Sequence, residues 1–422
     1  MSTDQESAAE AVAQAVRAAH QAAPAMAAAS AEAVDRALRA IARLLGETTD
    51  IVLKANAEDY AAAEAAGMSG GLLDRLRLDP ARLVGMAAQI TALADVADEA
   101  VRRVVRELEH GLVLEEWRRP VGVIGANFEA RPNVAVDVAS QLIKSRNAGV
   151  LRTGSAAIAS AAALTDHVVA PALAEAGLPG EAIQLVRARG RSSAEALLTH
   201  PREMPLVILR GSGESTRALA EIGAAHGVRT LAHADGGGVL YLDAAADLEK
   251  ARALIGAGLD RLGVCNRLNL LLVHRDLYES LVPSLVDLLA ARTPAIAASL
   301  PPHAHPLGHE WALDSAAEAT VTIAPVDGPE QAAGIANDET SGLAAGIVTE
   351  DGAAARAFLG GYTGTGAFWN ATTRLLDGFK LLAVPETGIN IDRVPGPRGP
   401  VTYRDLSLRQ YVVVPADRAS EL

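Results

Sequence analysis

Between Ala31 and Leu45 the chain carries Val34, Leu38, Ile41 and Leu45 at intervals of three and four, with mostly polar or small residues between them. That spacing puts the apolar side chains on one face of a helix. The Ala-rich stretch before it, residues 1–29, is interrupted by Asp4, Glu6, Glu10 and Arg17 and has no continuous apolar run. The opening therefore predicts amphipathic helices, not a signal peptide or a membrane span. From Gly111 the pattern changes. Residues 113–115 predict a short strand and 120–125 an apolar one, followed by a helix over 134–144, a strand over 148–152 and a long helix over 156–176. Strands over 183–186, 206–209 and 228–232 then alternate with helices over 193–198 and 216–226. Short apolar strands alternating with helices predict a doubly wound parallel sheet. Ligands of such sheets bind beyond the carboxyl ends of the strands, which directs attention to the loops 125–133, 152–155 and 210–215.

A second α/β block begins near Gly236, with a helix over 248–262, Cys265 in the following loop and a strand over 268–273. Strands over 320–323 and 346–348 and a helix over 352–360 continue it, while the Pro- and His-rich residues 299–309 read as an irregular loop. Beyond Trp369 glycine and proline increase, and the β-like run 411–414 is a candidate for pairing with the sheet of another subunit. The charged run 102–106, with Glu107 and Glu109 after it, reads as the solvated face of a helix.

Composition narrows the possibilities. A chain of 422 residues is long enough for two or three domains. Its 38 basic against 51 acidic residues give a net charge of -13, the wrong sign for a surface that meets nucleic acid or anionic lipid. Aromatics are 3%, too few for base-stacking platforms. One cysteine excludes an internal disulfide, which fits a reducing, cytoplasmic setting.

That cysteine is also the first chemical candidate. Free cysteine is often just a small buried hydrophobe. Cys265, however, lies in Gly263-Val-Cys-Asn266, in a loop after a helix where a thiolate could meet a substrate. A second candidate is Arg210-Gly-Ser-Gly-Glu-Ser-Thr216, in which Gly211, Ser212 and Gly213 would let amides at a helix start approach phosphate oxygens. It departs from G-x-G-x-x-G, since Thr216 takes the third glycine position, and an ordinary strand-to-helix turn explains it equally well. Arg152, with Thr153 and Ser155, could fork onto a phosphate at the end of the neighbouring strand. Asp235, before Gly236-Gly237, is the carboxylate near the second block that could activate water. His303, His305 and His309 have a spacing that could hold a metal, but with prolines interleaved and no cysteine partner they read as loop, and no metal is expected.

Several motifs in order resemble the glutamate-5-semialdehyde dehydrogenase, or γ-glutamyl phosphate reductase, family of the aldehyde dehydrogenase superfamily. They are Pro120-Val-Gly-Val-Ile-Gly125, Glu129-Ala-Arg-Pro-Asn-Val134, Lys144-Ser145, Leu151-Arg152 with Gly154-Ser155, Val264-Cys-Asn266, Ile347-Val-Thr-Glu-Asp351, Asp377-Gly-Phe379 and Arg398-Gly-Pro400. The resemblance covers nearly the whole chain. It implies an α/β fold with a doubly wound NADP-binding domain (1–232, with an oligomerisation strand at 111–118), a catalytic domain (233–369) and a C-terminal segment (370–422) returning to the first. It further implies Cys265 as nucleophile, Asn133 as an oxyanion donor, and NADPH held near Arg152, Gly154 and Ser155. Glu318, seven residues before Pro325, falls where the superfamily has a glutamate on the nicotinamide ribose. A homodimer or homotetramer acting on a small-molecule acyl phosphate is expected.

The chain also departs from that family. Gly238-Val239 stands where relatives usually have Cys-His, and Ile335, Leu343 and Ala345 stand where the family signature has two histidines and an acid. These departures keep a second reading open, a paralogue that reduces a different acyl phosphate or activated amino acid. A hydrolytic aldehyde dehydrogenase and an inactive scaffold are the remaining alternatives.

Overall fold

The computed structural model describes residues 3–421 apart from Ser69, 98–100, Ala130, Ala234, Ser315 and Pro395. Five helices open the chain, Thr3–Ala27, Ala31–Glu47, Thr49–Ala65, Gly70–Leu76 and Pro80–Asp95. The face read from the spacing in the second is the one that packs, with Val34, Leu38, Ile41 and Leu45 all fully buried. Ser30 starts that helix by accepting from Ala33 N–H at 3.2 Å. Asp79 caps the fifth, accepting from Arg82 N–H at 2.8 Å, with Pro80 in the first turn where its missing N–H costs nothing.

Two strands follow, β1 (Arg102–Leu108) and β2 (Leu112–Pro120). The run 102–108 is thus a strand and not a helix face. Both of its faces are largely solvated, which removes the apolar alternation that would have revealed it. A turn at Glu109–Gly111, with His110 and Gly111 at φ 61° and 69°, reverses the chain into β2.

The first doubly wound sheet contains β3 (Val123–Phe128), β4 (Ala148–Thr153), β5 (Ile183–Val186), β6 (Leu206–Arg210) and β7 (Arg229–His233). All are parallel, in the order β5-β4-β3-β6-β7. The winding reverses beside β3, so the loops after β3 and β6 open a crevice at the switch point. The second parallel sheet has six strands, β8 (Gly238–Leu242), β9 (Leu268–His274), β10 (Ala297–Ser299), β11 (Thr320–Val326), β12 (Ala344–Val348) and β13 (Gly366–Trp369). Their order is β10-β11-β9-β8-β12-β13. Helices Arg275–Ala290 and Pro329–Asp338 cover this sheet; the sequence reading did not foresee them, and it ran the helix that stops at Gly258 four residues too far.

The tail makes a hairpin of β14 (Gly388–Asn390) and β15 (Gly399–Val401) and ends in β16 (Ser407–Pro415). β16 pairs antiparallel with β2 of its own chain, Tyr411 opposite Glu116, so the terminal β run already has an intramolecular partner. Asn147 Nδ2 donates to Leu406 O at 2.8 Å and Tyr403 N–H to Gln141 at 2.6 Å, fastening the tail to the first sheet's helical layer. The continuous helical segment Ser155–Glu175 is long and apolar enough to cross a membrane, but 61% of its 18-residue apolar window is buried, as in a core helix. It packs beneath the second and third helices.

Candidate active site

The carboxyl ends of the first sheet's strands and the amino ends of the second sheet's strands face a shared cavity of about 410 Å³. The first sheet contributes Glu129 and Arg131 after β3, Gly154 and Ser155 after β4, Arg210 to Ser212 at the end of β6, and His233 and Asp235 at the end of β7. Cys265, Glu310, Glu318 and Leu343 come from the second block, and Met68, Leu72 and Arg75 from the helical layer. An adjoining cleft shares Ser212, Asp235, Gly236, Glu310 and Leu313 with it and adds Gly213.

Cys265 is half-buried in the turn between helix Leu248–Gly258 and β9. Its neighbours pin it. Asn266 donates to Leu376 O at 2.9 Å, accepts from Arg374, and receives Thr373 Oγ1 on its backbone carbonyl at 3.0 Å. Arg267 is wholly buried and spends its guanidinium on the carbonyls of Glu318 and Thr320 at 2.6 and 2.5 Å, which fastens the cysteine loop to the start of β11. Gly237 N–H reaches Cys265 O at 2.6 Å. A β-carbon on Gly236 would lie 2.5 Å from Glu310 Oε1 and 2.8 Å from Cys265 Cα, so only glycine lets these two segments meet.

Burial pushes the Cys265 thiol up; Arg131 and Arg210 oppose this, while Glu386 and Glu310 add to it. Burial pushes Glu310 up to about 7, against the N–H of Gly236 that it accepts and with Asp235 adding repulsion. Burial likewise brings Glu386 up to about 7 and Asp137 to about 6. His233 is held well below its ordinary value by burial and then by Arg210 and Arg131. Its Nδ1 accepts from Ile389 N–H at 2.9 Å, so a neutral ring carries its proton on Nε2, a buried atom with no partner among the described residues.

Of the residues singled out in the sequence, Cys265, Gly154, Ser155, Gly211, Ser212 and Glu318 meet at the cavity wall, and Gly213 lines the adjoining cleft. Asn133 and Arg152 are outside both walls. Asn133 opens helix Asn133–Lys144 and gives one amide N–H to Asp137 at 2.8 Å, leaving a second. Arg152 is buried and braces the loop after β5, donating to Gly190 O at 2.6 Å, Asn127 at 3.1 Å and Ser193 at 3.2 Å. Asp235 is engaged by Arg217 at 2.6 Å and is not the sole carboxylate near the thiol, because Glu310 shares the wall. The histidine loop is less solvated than expected: the rings of His305 and His309 pack edge-on against the buried Trp311 at 4.7 and 4.3 Å. Among the described residues no group of three or more His, Cys, Asp or Glu could hold a metal.

Sequence reasoning missed Arg75, His233 and Glu310 as cavity residues. Arg131 and Arg210 stood inside quoted motifs without a role. Of the departures, only Leu343 reaches the cavity; Ile335 packs against the apolar core on one side of the second sheet, Ala345 is buried in β12, and Gly238 is packed against Thr373 and Arg267.

Two wound sheets, the carboxyl ends of one facing the amino ends of the other with a lone cysteine between them, define an aldehyde dehydrogenase architecture. Residues 1–295 match the aldehyde dehydrogenase family model, and the chain belongs to that family. It is 35% identical over 390 residues to gamma-glutamyl phosphate reductase of Clavibacter michiganensis, covering 90% of this chain and 88% of that one. The enzyme of the same name from Caulobacter vibrioides is 37% identical over 388 residues, with 89% and 92% covered. The crystal structure of gamma-glutamyl phosphate reductase from Thermotoga maritima superposes with a TM-score of 0.84 at 26% identity, covering 96% of this chain and 98% of that one. An acetylating aldehyde dehydrogenase from Geobacillus thermoglucosidasius, at 15% identity and a TM-score of 0.74 with 98% of each chain covered, shares the fold. The protein is an oxidoreductase of the aldehyde-forming type, and its family implies a nicotinamide cofactor.

Proposed function

We propose that the protein reduces L-glutamyl 5-phosphate to L-glutamate 5-semialdehyde and inorganic phosphate, with NADPH as reductant and Cys265 as nucleophile. The observation that carries this reading is the position of the chain's single cysteine, in a cavity walled by Arg131 and Arg210, in a chain whose relatives bear the name of that activity.

The Cys265 sulfur attacks the acyl carbon, its electron pair forming the C–S bond. The carbon–oxygen bond to phosphate then breaks, and phosphate leaves with that pair. Glu310, close to neutrality in its protonation, takes up the thiol proton. Asn133, which keeps one amide N–H beyond the one given to Asp137, would serve as the oxyanion donor, a donor type whose removal costs about a hundred- to a thousand-fold. Gly154, Ser155, Ser212 and Glu318 would hold a reduced nicotinamide, whose chemistry would be to supply the hydride that takes the acyl carbon to the aldehyde level. Collapse of the resulting thiohemiacetal breaks the C–S bond, releases the aldehyde and restores Cys265.

The wall fits a dinucleotide. Ser212 precedes helix Gly213–His226 and its hydroxyl makes no capping bond, so that hydroxyl and the first amides of a 14-residue helix are free for a pyrophosphate. Gly154 and Ser155 offer a second stretch of close backbone approach, and Glu318 a carboxylate for a ribose. Residues 1–232 would form the cofactor-binding unit and 233–369 the catalytic one. Arg152 would serve as a brace for the cofactor-side loop.

In the oxidative direction, with NADP, phosphate and a panel of amino-acid semialdehydes, glutamate semialdehyde is expected to turn over fastest. Cys265→Ser should still bind NADPH but show no acyl-phosphate-dependent oxidation of it; retained turnover refutes the nucleophile. Leu343 favours the second reading, since it makes this part of the cavity wall apolar. A better rate with a less polar semialdehyde would establish the paralogue instead.

A further inference from the structure

The arginines around the cavity differ in what they do. Arg75 donates to Gly263 O at 2.5 Å, Arg152 and Arg267 brace backbone carbonyls, and Arg217 and Arg374 pair with Asp235 and Asp260 at 2.6 Å each. The side chains of Arg131 and Arg210 make no hydrogen bond or ion pair among the described residues, although both line the cavity wall with Cys265. Two enclosed guanidiniums that repel each other without a carboxylate in ion-pair contact are costly, and burial together with Arg75 and Arg210 brings Arg131 down to about 9. The carboxyls that feel Arg210 are themselves raised by burial, Glu386 to about 7 and Asp137 to about 6, and are taken up by Gly378 N–H and the Asn133 amide; Glu129 is a further carboxylate on the wall. The wall adds one more donor, since the neutral His233 ring beside them carries its unpartnered N–H.

We propose that Arg131 and Arg210 form a dianion subsite beside Cys265 that receives the phosphoryl group of the acyl phosphate and holds the phosphate as it leaves. This deepens the proposed function and rests on it for the reaction, but not for the anion site. Two fixed positive charges suit a dianion better than a single carboxylate, and a planar guanidinium can present two parallel N–H donors to two phosphate oxygens. Both arginines share the cavity wall with Cys265 and act electrostatically on its thiol, which puts the subsite on the side of the sulfur that is acylated. An arginine here does double service: it favours the thiolate before attack and the departing phosphate after it.

The single cysteine makes the test direct, because alkylation by iodoacetamide reads Cys265 alone. In the intact, substrate-free protein, millimolar inorganic phosphate should slow alkylation several-fold, whereas chloride at equal ionic strength should not. In Arg131→Gln and Arg210→Gln that protection should need at least tenfold more phosphate, and the oxidative reaction should show a phosphate KM raised at least tenfold with the semialdehyde KM within twofold. Arg131→Lys and Arg210→Lys, with the charge kept and the fork lost, should fall between wild type and the glutamine variants, and unchanged circular dichroism checks their folding. No phosphate effect on wild-type alkylation overturns the subsite. A raised semialdehyde KM with an unchanged phosphate KM also overturns it, placing the substrate carboxylate there. If arginine-dependent protection is present but no acyl phosphate is reduced, the subsite stands and the proposed reaction falls.

Discussion

Glu386 shows how a single side chain registers the cost of assembling this cavity. Its carboxyl is raised from 4.5 to about 7, chiefly by burial, and Gly378 N–H gives it a hydrogen bond. A carboxyl raised in the folded state binds more protons there than in the unfolded chain between those two values. Its contribution to stability is therefore complete below about 4.5 and is lost as pH rises through about 7. At 1.36 kcal/mol per unit the loss is at most about 3 kcal/mol. Glu386→Gln keeps an oxygen for Gly378 and stays neutral at every pH. It should melt several degrees above wild type at pH 8, with the gap closing at pH 5. An equal gap at both values, measured by thermal circular dichroism, would show that Glu386 is not the titrating group.

At the scale of elements, chemistry depends on how closely the segment after β7 approaches the cysteine loop. Gly236 has Glu310 on one side and the Cys265 backbone on the other, both within 3 Å of where a β-carbon would sit. Backbone cannot yield there as a flexible side chain would. Gly236→Ala should therefore displace the thiol and lower kcat by about a hundredfold, the scale of a 1 Å misplacement. Far-UV circular dichroism should stay unchanged; wild-type kcat in the variant would show that the contact is not limiting. The loop itself was legible in the sequence, because Cys265 follows a helix and precedes an apolar strand, and parallel strands announce themselves as short apolar runs. Strands β4, β5 and β6 match their predicted spans to within a residue at the carboxyl end. β1 was hidden by its two solvated faces, and helix Arg275–Ala290 by Pro283 within its pattern. Arg75, His233 and Glu310 carried no local signal at all, since only the packing of two sheets and a helical layer brings residues so far apart in sequence to one wall.

At the scale of the whole molecule, the small antiparallel sheet β1-β2-β16 stands apart from the two parallel sheets. Both of its outer strands have an open edge, and β16 runs for nine residues. A long apolar edge strand is a template for pairing and is normally blunted or covered. Here Leu408, Tyr411 and Val413 on β16 and Val104 on β1 are each more than half exposed, with Tyr411 and Val413 on the same face of their strand, where a monomer would have cause to avoid apolar surface. We therefore propose that this sheet joins copies of the chain. The intramolecular pairing of β16 with β2 does not compete with this, because it uses one edge of β16 and leaves the other free. Light scattering should report a dimer or tetramer for the wild type. Val413→Lys, which puts a charge on the exposed side without touching the buried Val414, should shift the protein toward monomer in light scattering at matched subunit concentration. The cavity is built by residues of one chain, so the monomeric variant should retain cofactor binding. A wild-type monomer, or an assembly indifferent to Val413→Lys, would mean that the exposed valines and Tyr411 serve no contact between copies.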